Sequence, residues 1–308
     1  MNMQVVLNQM IELFLLLGVG YFLYKIHIID NVFNGKLNQF VLCVAIPCMI
    51  LNSALTITKY QPIHRVLAIL LIALFIFLTL PIAGFLIAKI CRVPKQDLGL
   101  YIFMTTFSNI GFIGFPVMMS IFGNESVFYT TIFNLVYNTL VYTLGYVLIN
   151  IGTGQKADIH LKDIFSPATI SCIVAFIIYL AHFHLPEVIT KTIGTLGSMT
   201  SPLAMIIIGV TLANVSLKDV FSEVKIYPYT LLKQIVLPVL AYHLLHLFVH
   251  DALTLGVSVI CIAMPVGTMA VLLTNRNGGN SELAAKNVFI TTLVSIASIP
   301  VLVGLFLA

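Results

Sequence analysis

Asn109 is the residue of this chain best placed by type and context to handle a charged solute. It stands in TTFSNIGFIGFPVMMSIFG, residues 105–123, an apolar stretch long enough to cross a bilayer yet interrupted by Asn109, Gly111, Gly114 and Pro116. An amide side chain donates and accepts hydrogen bonds, so beside a break it can hold a carboxylate or the backbone groups that the break frees. Ser108, Thr105 and Thr106 add hydroxyls, although such groups in membrane helices often bond back to their own backbone. A second interruption falls in AMPVGTMAVLL, where Pro265, Gly267 and Thr268 break another apolar run. Unwound backbone survives at membrane depth only where protein buries it or where it lines a wet cavity. Two breaks side by side would turn half-helix N-termini, each worth roughly +0.5 charge, toward a shared cavity, which suits an anion.

Other residues admit two readings each. Lys233, in TLLKQIVLPVL, is the basic residue set well inside an apolar run. It is either a functional intramembrane charge or a long side chain snorkelling to the interface. Glu12 either carries a proton in a buried setting or sits solvated near the outer surface. Asn52 and Ser53 follow Pro47 and either line a cavity or bond helix to helix. Asn134, Tyr137, Asn138 and Tyr142 fall at helical spacing along one stripe, which faces a pathway or glues helices together. The histidines at 182, 184, 243, 246 and 250 lack any metal-binding pattern, and the five cysteines have no CxxC spacing, so neither metal nor cofactor is expected.

The elements that must position these residues follow from composition. Hydrophobic residues make up 60% of the 308 and charged ones only 8%, with a mean hydropathy of +1.07. That describes an all-α membrane protein with lipid as its surroundings. A bilayer-spanning helix needs about 20 mostly apolar residues. Such runs cover 5–24, 37–57, 64–90, 97–122, 127–150, 164–183, 189–215, 224–249, 253–273 and 283–307. The first run lacks the basic region and cleavage site of a secretory signal and is expected to be retained. Alternate connectors carry eleven of the lysines and arginines, from Lys25 and Lys36 to Arg276 and Lys286, against Lys59, Arg65 and Lys191 on the other side. Basic loops stay cytoplasmic, which puts both termini outside a multi-pass protein of the cell membrane. The net charge of +4 reflects this topology, and no nucleic acid is expected as partner.

The chain also repeats. GNES at 123–126 returns as GNSE at 279–282, 156 residues on, and Pro47 returns as Pro202, 155 residues on. Five spans per copy, 1–155 and 156–308, would put the second copy upside down, the plan of many secondary transporters. The interrupted fourth and ninth spans then form the pair at the midplane.

On SNIGFIGFP, on AMP with the small residues after it, on the Pro47 and Pro202 helices and on SIASIPVLV in the last span, the chain resembles the auxin efflux carrier family. That family includes plant auxin exporters and bacterial permeases for malate, malonate and similar carboxylates. The resemblance implies ten helices in two inverted five-helix repeats, similar to bile-acid symporter and sodium/proton antiporter folds. It implies a crossover of helices 4 and 9, a scaffold domain of helices 1, 2, 6 and 7 that is often a homodimer, and a transport domain of helices 3–5 and 8–10. Asn109 matches the family's crossover asparagine, which helps to hold a substrate carboxylate; after Pro265 the other crossover has Val266, Gly267 and Thr268. The expected function is a carrier of small organic anions working by alternating access, with Asn109, Ser108, Gly111, Pro116, Pro265, Gly267, Thr268, Asn52, Ser53 and Asn138 toward the substrate. Lys233 and Glu12 are the coupling candidates. A cation/proton-coupled antiporter or symporter is the alternative, disfavoured because the fourth, fifth and ninth spans have no interior Asp or Glu. An intramembrane hydrolase would need a nucleophile with a base, and no such arrangement is visible.

Overall fold

A computed structural model describes residues 3–56, 63–153, 165–183, 185–214 and 223–306. Lys59, Lys156, Lys162, Lys218 and His184 lie outside the described residues, as do the outer ends of several apolar runs. Helices lie over the apolar runs: α1 (Met3–Lys25), α2 (Asn31–Leu55), α3 (Ile63–Ile90), α4 (Leu98–Thr106), α5 (Ile110–Phe122), α6 (Asn124–Val141) and α7 (Leu144–Ile149). They continue as α8 (Pro167–Ala181), α9 (Glu187–Ala213), α10 (226–246), α11 (Ala252–Ala263), α12 (Met269–Arg276) and α13 (Ser281–Phe306). Among the described residues, α2, α3, α9 and α13 are each long and apolar enough to cross a membrane.

The helix surfaces explain the environment. On α3, Val66, Ile69, Ala73, Ile76 and Leu80 are buried, while Leu67, Leu71, Phe75, Leu78 and Ile82 on the opposite side are exposed. A helix apolar all round, with one of its faces uncovered, belongs in hydrocarbon rather than water.

The prolines do more than kink. Val41–Ala45, Ile110–Gly114 and Leu232–Val236 are π-helical turns, and each ends two residues before a proline: Pro47, Pro116 and Pro238. A proline has no N–H to give and its ring collides with the carbonyl four residues back. A widened turn, closed by Ile46 N–H to Val41 O, Phe115 N–H to Ile110 O and Leu237 N–H to Leu232 O, relieves that collision before the ring arrives. Pro202, the repeat mate of Pro47, is accommodated differently, just after the helix axis breaks at Met199.

Packing divides by neighbour. The second half of α9, Thr200–Ala213, lies along α1, and α2 lies against α8 and the first half of α9. The α3 helix packs on α4 and α6, α10 on α11, and α12 on α13. The α1–α9 contact is close because Gly20 and Gly209 each receive the other helix's backbone: a Cβ on Gly20 would lie 2.1 Å from the Ile206 carbonyl oxygen. Small residues at such a crossing let two membrane helices reach van der Waals contact along their length.

Candidate anion site at two interrupted helices

The interruptions meet. Between α4 and α5 the chain runs extended through Phe107 and Ser108, and between α11 and α12 through Met264 to Val266 before turning at Thr268 into α12. Ser108 and Val266 pair as an isolated antiparallel bridge. Asn109 N–H donates to the Pro265 carbonyl at 2.8 Å, and Gly267 N–H to the Phe107 carbonyl at 3.3 Å. Val266 N–H is taken by Thr291 Oγ1 of α13 at 3.1 Å, and that hydroxyl donates onward to the Asn287 carbonyl at 2.6 Å. The groups freed by the two breaks are thereby satisfied by one another and by a neighbouring helix, as hydrocarbon surroundings require.

Gly267 makes this approach feasible, since a Cβ there would stand 3.0 Å from the Phe107 carbonyl oxygen, an atom of backbone that cannot swing aside. Gly267→Ala is expected to part the bridge and lower stability by about 1–3 kcal/mol, the range for overpacking a buried contact. Thermal melting of the purified variant checks this; a wild-type midpoint would show that the bridge tolerates the methyl group.

Polarity is segregated about the bridge. The C-termini of α4 and α11 and the N-termini of α5 and α12 all end there. The former concentrate carbonyl oxygens and the latter amide hydrogens, so one side is negative and the other positive. On the negative side lies Lys233, fully buried, whose Nζ donates to Ser108 Oγ at 2.9 Å and to the Met264 carbonyl. The side chain therefore stays at the bridge and does not run to the interface.

A cavity of about 290 Å³ adjoins the other side, close to the lower limit of small-molecule sites. Asn109, Gly111, Gly267 and Thr268 line it at the breaks. The α6 stripe of Asn134, Tyr137, Asn138 and Tyr142 forms one wall, and Leu42, Cys43 and Ile46 of α2 with Ser166–Ala168 at the start of α8 form another. Among the described residues, no charged side chain borders it. Asn109 caps α5, its Oδ1 accepting from Phe112 N–H at 3.2 Å. With the oxygen so committed, what Asn109 offers the cavity is the pair of Nδ2 donors. Asn138 is 8% exposed and its Nδ2 is buried without a hydrogen-bond partner. An orphaned donor of this kind costs about 1–3 kcal/mol until an acceptor meets it. Asn134 Nδ2 has only the Cys172 sulfur at 3.7 Å.

The remaining sequence candidates lie elsewhere. Ser108 turns its hydroxyl to Lys233, Pro265 contributes its carbonyl to Asn109, and Pro116 is buried in the first turn after the π segment. Ser53 bonds back to the Ile50 carbonyl at 2.7 Å, and Asn52 lies against Gly194 of α9, a helix-to-helix position. Thr105 and Thr106 bond back to the Tyr101 and Ile102 carbonyls. Glu12 is on the exposed face of α1, and the cavity does not reach it. Sequence reasoning missed Thr291 and the α2 and α8 residues of the wall. For α8 a signal existed: Ser166 caps its start through Thr169 N–H, and Pro167 follows at the first helical position, a recognisable helix opening.

Comparison with known proteins agrees with a membrane protein built of apolar helices. The family model described as membrane transport protein matches residues 5–303. An "Uncharacterized transporter" of Methanocaldococcus jannaschii is 32% identical over 294 residues, 92% of each chain. Another of Methanothermobacter thermautotrophicus is 26% identical over 299 residues, covering 94% of this chain and 95% of that one. A Rhizobium meliloti protein named "Putative malonate transporter" is 24% identical over 206 residues, 64% of this chain and 63% of that one. With its family model spanning nearly the whole sequence, the chain belongs to the membrane transport protein family, that of the auxin efflux carriers.

Proposed function

We propose that this transporter carries small organic anions, carboxylates such as malonate or malate among them, across the cell membrane by alternating access. The observation that carries the reading is the cavity beside the paired interruptions, walled by amide donors and half-helix N-termini and, among the described residues, bordered by no carboxylate. A carboxylate seated there would take Nδ2–H from Asn109 and from Asn138, whose donor otherwise has no acceptor. Hydrogen bonds to a charged acceptor are each worth about 1.5–3 kcal/mol, enough with the two helix ends to hold an anion without a formal positive charge in contact. Phe112, Tyr137 and Tyr142 leave room for an apolar body on the acid. The putting together of helices 4 and 9 as a crossover in two inverted repeats, 1–155 and 156–308, is supported by the antiparallel Ser108–Val266 bridge and the GNES/GNSE spacing.

Helices α1, α2, α8 and α9 as scaffold, often dimeric in the family, and the remainder as the moving part is the division that the packing favours. The cavity lies by Tyr142 and by Ser166 at the start of α8, on either side in sequence of the run holding Lys156 and Lys162, a run that the basic-loop rule assigns to the cytoplasm. Elsewhere along α5, Ile113 and Val117 close against Leu13 and Leu17 of α1 and Met205 of α9, leaving about 10 Å³ between them. One face open and one sealed is the expected resting form of a carrier. Proteoliposomes loaded with radiolabelled malonate, malate or an aryl monocarboxylate are expected to show saturable, counterflow-stimulated exchange of at least one of them. Exchange of none, across neutral and acidic pH and with sodium or potassium, would remove the carboxylate reading. A cation/proton antiporter, the rival of similar fold, finds no acidic residue to bind its ion among the described residues at the cavity.

A further inference from the structure

The negative side of the paired interruptions holds an occupant that the anion reading does not use. In inverted-repeat carriers, unwound carbonyls and half-helix C-termini are where a coupling Na⁺ or H⁺ sits, opposite the N-termini that face an anionic substrate. Here the oxygen ligands at that place are the Met264 carbonyl, the first after α11, and the Ser108 hydroxyl, two residues past α4. Both are engaged by the Lys233 ammonium, which is completely enclosed by protein.

The charge arithmetic fits. A buried ammonium is costly unless countercharge meets it. The sequence puts no Asp or Glu in the interior of the apolar runs 97–122, 224–249, 253–273 and 283–307 around Lys233. Two half-helix C-termini, each roughly −0.5 charge, together supply about one unit, which is what one lysine needs. The lysine is delivered there by α10, whose Leu232–Val236 π-turn ahead of Pro238 contains it.

We propose that Lys233 is a tethered substitute for a coupling cation: its ammonium fills the oxygen-lined position at the paired helix C-termini, so that the carrier works without sodium. The inference rests on reading the chain as an anion carrier, but its first test needs no anion. Lys233 is a positioning residue in this scheme, touching the bridge through Ser108 and Met264 and acting on the anion through Asn109, the next residue in the chain.

The test compares wild type, Lys233→Ala and Lys233→Met in detergent by thermal melting in choline, sodium or methylammonium chloride at equal ionic strength. Wild type is expected to melt alike in all three salts. Lys233→Ala is expected to melt about 5 °C or more lower in choline and to recover most of that loss, saturably, in sodium or methylammonium, which fit the vacated position. Lys233→Met refills the space without charge and is expected to ignore the salt, which a merely space-filling role for the lysine would not distinguish from wild type in stability. Lys233→Ala melting alike in every salt, or wild type stabilised by sodium over choline, overturns the proposal. Should Lys233→Ala fail to fold, wild-type proteoliposomes decide: carboxylate flux unchanged when choline replaces sodium supports the tethered cation, and flux abolished by that replacement overturns it. An absence of all carboxylate flux would instead count against the anion reading, leaving the melting responses to judge Lys233.

Discussion

Asn109→Asp is expected to weaken carboxylate binding by about a hundredfold while leaving the melting temperature near that of wild type. The two effects separate because the two ends of the amide have different partners. Oδ1 accepts from Phe112 N–H and caps α5, and an aspartate oxygen caps as well as an asparagine one. The Nδ2 donors vanish, and a carboxylate takes their place at the cavity wall. Losing a hydrogen bond to a charged group costs about 1.5–3 kcal/mol, and each 1.4 kcal/mol is tenfold in affinity, before any repulsion between like charges. Asn109→Ala is expected to lose the cap too, lowering stability by about 1 kcal/mol. Titration of each variant with substrate, by calorimetry or by ligand-induced melting shift, reads both numbers. Wild-type affinity in Asn109→Asp would take Asn109 out of the anion site.

Gly209→Val is expected to prevent most of the protein from reaching a folded, monodisperse state. A Cβ at Gly209 would fall 2.0 Å from the Leu17 carbonyl oxygen and 2.8 Å from Tyr21 N, backbone atoms of α1 that cannot move without the helix moving. Gly20 makes the reciprocal demand on Ile206, so the two helices cannot escape by sliding. Overpacking in a tight core typically costs about 1–3 kcal/mol and more where the obstacle is backbone. Gly18, two residues away on α1, has nothing within 4 Å of its Cβ position, which makes Gly18→Ala the control expected to behave as wild type. Size-exclusion profiles and melting curves of both variants decide the matter. A well-folded Gly209→Val would mean that α1 and α9 are not held as closely as these glycines imply.

The breaks were legible in the sequence because they are written in residue types that a helix tolerates poorly. Asn109, Gly111, Pro265 and Gly267 announced two interruptions, and these lie at Phe107–Asn109 and Met264–Thr268. Their partners in stabilisation were not legible. Thr291 sits in a run of apolar and hydroxyl residues and is indistinguishable by type from Thr292, which bonds back to Val288. Lys233 stayed ambiguous for a reason of geometry: a lysine in the middle of an apolar run can point along the helix axis either way, and only tertiary contact with Ser108 and Met264 selects one. The walls from α2 and α8 stayed hidden because residues 40–51 of α2 and most of α8 are apolar on all sides, so hydropathy carries no information about which face turns inward. A proline inside an apolar run signals a disturbed helix, whereas local widening of the preceding turn depends on the whole hydrogen-bond ladder and has no signature in one residue type.

The closed seam of α5 against α1 and α9 has a consequence for what the protein keeps out. Its walls are mostly aliphatic, Ile113, Val117, Leu13, Leu17 and Met205, with the Thr292 and Ser295 hydroxyls beside them already donating to their own helix, and about 10 Å³ is room for at most a single water with few partners. A hydrated ion arriving in the cavity beside the paired interruptions would have to shed its shell against mostly aliphatic side chains to go further. Insulation is therefore built into the packing: the bilayer's voltage can fall across the seam without driving an ionic current through it.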